Sequence, residues 1–237
     1  MTMTVGITGA NGFIGKNLVK YLENRNYEIE DFDRYDHDLV CNSLWLHKFI
    51  SSVDVVIHLA GKNKGEDLDI LDVNVIGTYN VAKQCLKLNK PLIFASSDYH
   101  KIDYYKCSKE ISCDILKHFG SLGLVHSSVV MPKVFGLGCK PFYNSFVSTI
   151  LYSAANNKEY KHLIKNENEI LELIYVGHVC EIIHKIINNK SYYNNLRYCF
   201  DYSFFISIKE IIEIIEGRLS DHKYTKVFLE TLESYRE

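Results

Sequence analysis

Tyr105 and Lys109 stand four positions apart in Tyr105-Lys-Cys-Ser-Lys109. In a helix that spacing puts both side chains on one face. A tyrosine with a reference pKa of about 10 is a poor acid or base near neutral pH, but an adjacent ammonium favours its phenolate and draws it into range. The preceding apolar run ends in Ala95-Ser96-Ser97. A hydroxyl there, Ser97 first and Ser96 as the second choice, can hydrogen-bond a carbonyl whose oxygen gains charge as hydride arrives, so its stabilisation grows toward the transition state. Asn74, inside Asp72-Val-Asn-Val-Ile-Gly77, suits a relay that holds water or backbone, or else an exposed mid-helix position. Tyr-x-x-x-Lys alone equally describes a surface pair. Its place just after a strand ending in serines favours catalysis.

A second constellation lies near the N-terminus, where Gly9-Ala-Asn11-Gly12-Phe13-Ile14-Gly15 separates a strand pattern from a helix pattern. Glycines there allow a tight turn and close backbone approach to a pyrophosphate at the helix N-terminus. Strand before and helix after make this a dinucleotide site. At the end of the second strand pattern stands Asp33-Arg34, an acid for a ribose 2′-hydroxyl and a cation for a 2′-phosphate, which favours NADP(H) over NAD. The third strand pattern, running from Asp54, ends in Leu59-Ala60-Gly61, where a ribose or diphosphate fits against backbone. Lys62 and Lys64 follow as phosphate partners, and His58 reads as a core histidine rather than a catalyst.

The elements that must hold these residues follow from periodicity. Strand-length runs at Val5–Thr8, Tyr27–Asp33, Val53–Ala60, Pro91–Ser96 and Leu124–Val130 alternate with helical patterns at Gly12–Glu23, Ser43–Ile50, Asp69–Lys87 and Tyr104–His118. Such alternation predicts an α/β fold: a Rossmann-type, doubly wound parallel sheet with helices on both faces. Beyond Val130 the spacing predicts a helix near Asn144–Ala155, strands near Ile170–Val176 and Leu196–Phe200, and a final helix opened by a capping box at Ser207-Ile-Lys-Glu210. No repeat or low-complexity linker interrupts the chain. It reads as one unit, with a dinucleotide-binding core over about residues 1–135 and a small substrate lobe with returning core elements over about 136–237.

Composition narrows the function classes. The 237 residues carry 27 basic and 29 acidic side chains, a balance that leaves no footprint for nucleic acid or an anionic membrane. The seven cysteines form no CxxC pair, which points to reduced thiols and a cytoplasmic protein. No apolar run reaches the roughly 18–20 residues that span a bilayer, and the opening residues leave no room for a signal peptide before the glycine turn. The ten histidines show no metal-ligand spacing. His178 and His184 read as a pair flanking a helix, and no metal is expected.

Taken together, TGANGFIG, DVVIHLAG, DVNVIGTYNVA, ASS and YKCSK resemble, in order, the extended short-chain dehydrogenase/reductases of the nucleotide-sugar epimerase/dehydratase branch. Within it the chain is similar to the reductase half of the capsular-polysaccharide-assembling enzymes that act on UDP-2-acetamido-2,6-dideoxy-hexos-4-uloses. GFIGKNL, the eight-position gap from Ser97 to Tyr105, the stretch Pro132–Ser145 and a terminal Phe228–Tyr235 carry that likeness. The resemblance implies catalytic Ser97, Tyr105 and Lys109. It implies cofactor contacts from Gly9, Asn11, Gly12, Phe13, Ile14, Gly15, Asp33, Arg34, Leu59, Ala60, Gly61, Lys62, Asn74, Tyr105 and Lys109. Near the nucleotide-sugar it implies Ser97, Lys133, Lys140 and Asn144, and it implies a homodimer packed through the helices following Asp69 and Tyr104.

The implied reaction moves the pro-S hydride of NADPH to the C4 ketone of a UDP-linked 4-keto-6-deoxy sugar, giving a UDP-N-acetyl-6-deoxy-L-hexosamine such as the L-rhamno form. Those relatives continue into a metal-binding cupin domain, which is not expected here. Lys133 replaces the family's usual asparagine, and Gly177-His178 replaces its aspartate. Two other readings stay open. One is an epimerase or 4,6-dehydratase with retained NAD, although Asp98-Tyr99 supplies the acid of the dehydratase's Asp-Glu pair without its base. The other is a non-catalytic dinucleotide-binding protein on the same fold.

Overall fold

The computed structural model describes residues 2–32, 39–41, 44–98, 103–189, 197–199 and 202–236, with backbone alone for 197–199. Two compact units divide them: Met1–Met131 with Cys180–Phe200, and Pro132–Val179 with Asp201–Glu237.

The first unit is built on a parallel sheet. Its strands are β1 (Thr4–Thr8), β2 (Glu28–Phe32), β3 (Val55–His58), β4 (Leu92–Ser97), β5 (His126–Met131) and β8 (Arg197–Cys199), in the order β2-β1-β3-β4-β5-β8. Every pairing is parallel. β3, β4 and β5 are buried almost throughout, as strands covered on both faces must be, and hence β3 and the first four residues of β4 read as near-continuous apolar runs instead of alternating ones. The order in which strands are added reverses between β1 and β3, the switch point where open α/β sheets take their ligands.

Helices α2 (Leu44–Ser52), α4 (Gly77–Lys87) and α5 (Tyr104–Ser121) bury one core against Phe32, Val56, Leu92 and Phe94, contributing Leu46, Phe49, Val81, Cys85, Leu116 and Phe119. Each such side chain withdrawn from water is worth about 1.5–3 kcal/mol. Helix α1 (Phe13–Glu23) buries Leu18 and Leu22. Beside it runs the later part of α7 (Val176–Asn188), where Tyr21 and Tyr27 meet the His184 ring edge-on.

Two departures from the periodicity matter. The run read as one helix from Asp69 is α3 (Asp67–Leu71), a π-helical turn at Asp72–Ile76, then α4, with Gly77 N–H donating to Asp72 O across five residues. One inserted residue leaves apolar spacing almost unchanged and is invisible to a 3.6-residue pattern. His178 and His184 do not flank a helix. Both lie inside α7 and are half-buried.

The second unit has a sheet of its own, β6 (Lys133–Phe135) parallel to β7 (Ile170–Tyr175), and β7 antiparallel to β9 (Phe204–Ser207). It packs with α6 (Phe146–Ala155), α8 (Ile208–Ile215) and α9 (Thr225–Glu233) around Phe135, Leu173, Phe204 and Phe228. Phe135 and Phe228 stack at 4.7 Å. The capping box holds: Ser207 Oγ accepts from Glu210 N–H, and the Glu210 carboxylate accepts from Ser207 N–H at 2.8 Å.

Candidate active site

Thr8 ends β1, and the chain turns at once through Gly9, whose φ of 74° belongs to the left-handed region that favours glycine. A Cβ on Gly9 would lie 2.8 Å from Ala60 N, so the turn is pressed against the backbone leaving β3. Gly15 is tighter still, since a Cβ there would stand 2.3 Å from Gly9 O and 2.5 Å from Ala10 O. Gly12 caps α1 without a side-chain bond, and Phe13 and Ile14 open its first turn. A helix N-terminus approached this closely by bare backbone fits a diphosphate. Leu59 N–H donates to Thr8 O at 3.1 Å, which keeps the exit of β3 beside the turn.

On the other side of that exit stands α5. Asp103 caps it, its carboxylate accepting from Lys106 N–H at 3.0 Å, and this places Tyr105 in the first turn, half-buried. One turn on, Lys109 is buried and donates from Nζ to Ala95 O of β4 at 2.9 Å. Its ammonium lies 5.9 Å from the centroid of the Tyr105 ring. Burial pulls Lys109 down to about 8. A Cβ on Gly61 would meet Asn74 Oδ1 at 3.2 Å and Lys109 Nζ at 3.4 Å, so bare backbone at position 61 leaves this ammonium its space.

Asn74 is buried in the π turn and brackets Lys62: its Oδ1 accepts from Lys62 N–H at 2.7 Å while its Nδ2 donates to Lys62 O at 2.9 Å. The second Nδ2 hydrogen goes to Ser108 Oγ at 2.8 Å, and Ser108 donates to Tyr105 O at 2.7 Å. The Lys62 ammonium pairs with Asp69 at 2.5 Å. Of the two serines ending β4, Ser96 is buried with its hydroxyl 3.3 Å from Cys113 Sγ, whereas Ser97 is half-exposed at the carboxyl end of the strand. The pleat sends the two to opposite faces.

The sequence matches the NAD dependent epimerase/dehydratase family over residues 5–196, most of the chain. The chain belongs to this family. It is 31% identical over 194 residues to the UDP-2-acetamido-2,6-beta-L-arabino-hexul-4-ose reductase of Pseudomonas aeruginosa, a match covering 79% of this chain and 50% of that protein. This member of the epimerase/dehydratase family thus spans about half the length of that curated relative. Among solved structures, the capsular polysaccharide assembling protein CapF of Staphylococcus aureus superposes with a TM-score of 0.75 at 24% identity, over 99% of this chain and 65% of that one. The dTDP-4-dehydrorhamnose reductase of Bacillus anthracis, solved in complex with NADP, gives 0.71 at 23%, over 92% and 81%. Both likenesses show the family's shared fold, with its parallel sheet and flanking helices.

Gly9, Gly15, Ala60, Gly61, Lys62, Asn74, Tyr105 and Lys109 are thus linked by contact in the first unit of this family member. Asn11 is exposed in the same turn. Asp33 and Arg34 lie outside the described residues. Lys133, Lys140 and Asn144 are exposed in the second unit, where the Lys140 ammonium sits 5.6 Å from the centroid of the Tyr143 ring and Ser145 caps α6. Their loop is pinned by Tyr235, which donates to Cys139 O, and by Phe142 N–H, which donates to Thr149 Oγ1 at 2.9 Å. Among the described residues no cluster of His, Cys, Asp or Glu is arranged to hold a metal, and no helix is long and apolar enough to cross a membrane.

Residue patterns had missed Thr8, Thr78, Ser108 and Ser112. A signal existed: Asn74 with Thr78, and Ser108 with Ser112, are polar pairs at i, i+4. All four are buried, and buried polar groups need partners.

Proposed function

We propose that the protein is an NADPH-dependent reductase of the C4 ketone of a UDP-linked 4-keto-6-deoxy sugar. The leading substrate is UDP-2-acetamido-2,6-dideoxy-L-hexos-4-ulose and the product a UDP-N-acetyl-6-deoxy-L-hexosamine. The observation that carries the reading is the Lys109 ammonium anchored on the Ala95 carbonyl beside the Tyr105 ring. Likeness to the Pseudomonas reductase supports the substrate class.

The glycine turn and the N-terminus of α1 would hold the cofactor diphosphate, Asp33 the adenosine ribose and Arg34 a 2′-phosphate. Bound there, the nicotinamide supplies the hydride that reaches C4. Tyr105 gives its phenolic proton to the C4 oxygen, completing the alcohol, and the neighbouring ammonium of Lys109 stabilises the phenolate left behind. Ser97 donates to the same oxygen as charge gathers on it. Lys133, Lys140 and Asn144 are assigned to the nucleotide-sugar. Exposed Ile76 at the end of the π turn, Tyr79 on α4 and Ile111 on α5 support a homodimer through those helices.

The test is oxidation of NADPH by the purified protein, with the ketosugar generated in situ from UDP-GlcNAc by a 5-inverting 4,6-dehydratase and NADH run in parallel. Consumption with a reduced UDP-sugar is the expected result. No consumption with either coenzyme overturns the reading.

A further inference from the structure

His58 is fully buried at the end of β3 and meets a hydroxyl on each side, Thr8 Oγ1 at 2.6 Å from Nδ1 and Thr78 Oγ1 at 3.0 Å from Nε2. Each hydroxyl has one hydrogen, and this decides every direction. Thr78 gives its hydrogen to Asn74 O at 2.6 Å, so its oxygen accepts from His58 Nε2–H. The unprotonated Nδ1 then accepts from the Thr8 hydroxyl, whose oxygen accepts Ala60 N–H at 3.3 Å. One tautomer satisfies the whole run. A doubly protonated ring would take from the Thr8 hydroxyl its acceptor, and burial and the nearby Lys109 charge both oppose that form.

The run has structural ends. Upstream, Ala60 is the backbone against which Gly9 is pressed. Downstream, the Asn74 carbonyl lies in the π turn, 2.8 Å from Ser112 Oγ, whose one hydrogen is shared between it and Ser108 O at 2.7 Å, and the Asn74 side chain brackets Lys62 and reaches Ser108, which bonds Tyr105 O. We propose that His58 is a positioning residue: as the Nε2–H tautomer it ties the glycine-rich turn to the π turn that holds the start of α5, and so fixes Tyr105 and Lys109 relative to the dinucleotide. The role in turnover rests on the reductase reading; the tie itself does not.

Two substitutions of Thr78 separate hydrogen bonding from packing. Thr78→Val keeps the shape and loses the hydroxyl, while Thr78→Ser keeps the hydroxyl and loses a methyl. In the full chain, Thr78→Val is expected to bind NADPH within about 3-fold of wild type yet lose roughly 10-fold or more in kcat, with Thr78→Ser within about 3-fold on both. The opposite order, equal losses, or an unaltered Thr78→Val overturns the proposal, because packing or nothing would then explain the site. Two readouts need no turnover. Ring 15N spectra of the wild type should show His58 as the Nε2–H form with no titration between about pH 5 and 9, and amide exchange over residues 103–109 should quicken in Thr78→Val but not in Thr78→Ser. An Nδ1–H tautomer, or exchange unchanged in both variants, refutes the tie. A wild type that reduces no ketosugar defeats the reductase reading alone, and the spectra and exchange still decide the role of His58.

Discussion

The Lys109 ammonium stands 5.9 Å from the centroid of the Tyr105 ring while donating at 2.9 Å to the carbonyl of Ala95. The anchor comes from the sheet and the tyrosine from the helix, so the docking of α5 against β4 sets the charge felt by the phenol. Removing the phenolic proton tests this arrangement first. Tyr105→Phe should lower kcat by at least about 100-fold and leave NADPH affinity nearly intact. Stopped-flow turnover beside fluorescence titration measures both, and undiminished turnover would refute the proton-donor role.

The same pair predicts a pH profile. Burial lowers Lys109 to about 8, so its positive charge is present below that pH and lost above it. For ketone reduction, kcat/KM should therefore fall as pH rises through about 8, and in Lys109→Met it should be low throughout with that limb absent. A wild-type profile flat to pH 10 would contradict the assignment.

Two glycines in one turn should respond differently. Gly15→Ala drives a Cβ to within 2.3 Å of a carbonyl oxygen, whereas at Gly12 the nearest atom is 3.2 Å away and φ is −72°, which alanine adopts freely. Gly15→Ala is expected to destabilise the fold by about 1–3 kcal/mol and Gly12→Ala by less. Thermal melts of the two variants decide it; a larger loss for Gly12→Ala would contradict the packing.

His58 links acidity to stability. Burial holds its pKa down to about 3 against an ordinary value near 6.5. Between these values the unfolded chain binds the proton and the folded chain does not, so the contribution of His58 is complete above about pH 6.5 and is lost as pH falls toward 3. The drop in unfolding free energy from pH 7 to pH 5 should shrink in His58→Gln. Urea titrations at the two pH values measure it, and identical drops would argue against a neutral buried ring.

The proposed preference for NADPH assigns the 2′-phosphate to Arg34, a residue read from sequence. Arg34→Ala should weaken NADPH by roughly 10-fold or more and NADH little, since only the former carries a 2′-phosphate for a charge-assisted bond. Parallel fluorescence titrations test it, and equal losses would remove Arg34 from that role.

Short-range pattern was enough for much of this protein. The glycine turn, the Tyr105-to-Lys109 spacing, the alternation of strands with helices and the Ser207 capping box all rest on residues within a few positions of each other, where backbone geometry alone relates type to conformation. Tertiary structure decided the rest. The short strands β6 and β9 exist because β7 lies between them. The π turn shows no periodic signature, and Ser96 and Ser97 differ only in which face of β4 they meet. The partners of His58 lie 50 and 20 positions away in the chain, and Asn74 reaches Ser108 across 34. A buried polar group must find a partner, but which one it finds depends on the packing of whole elements, and local spacing does not encode that.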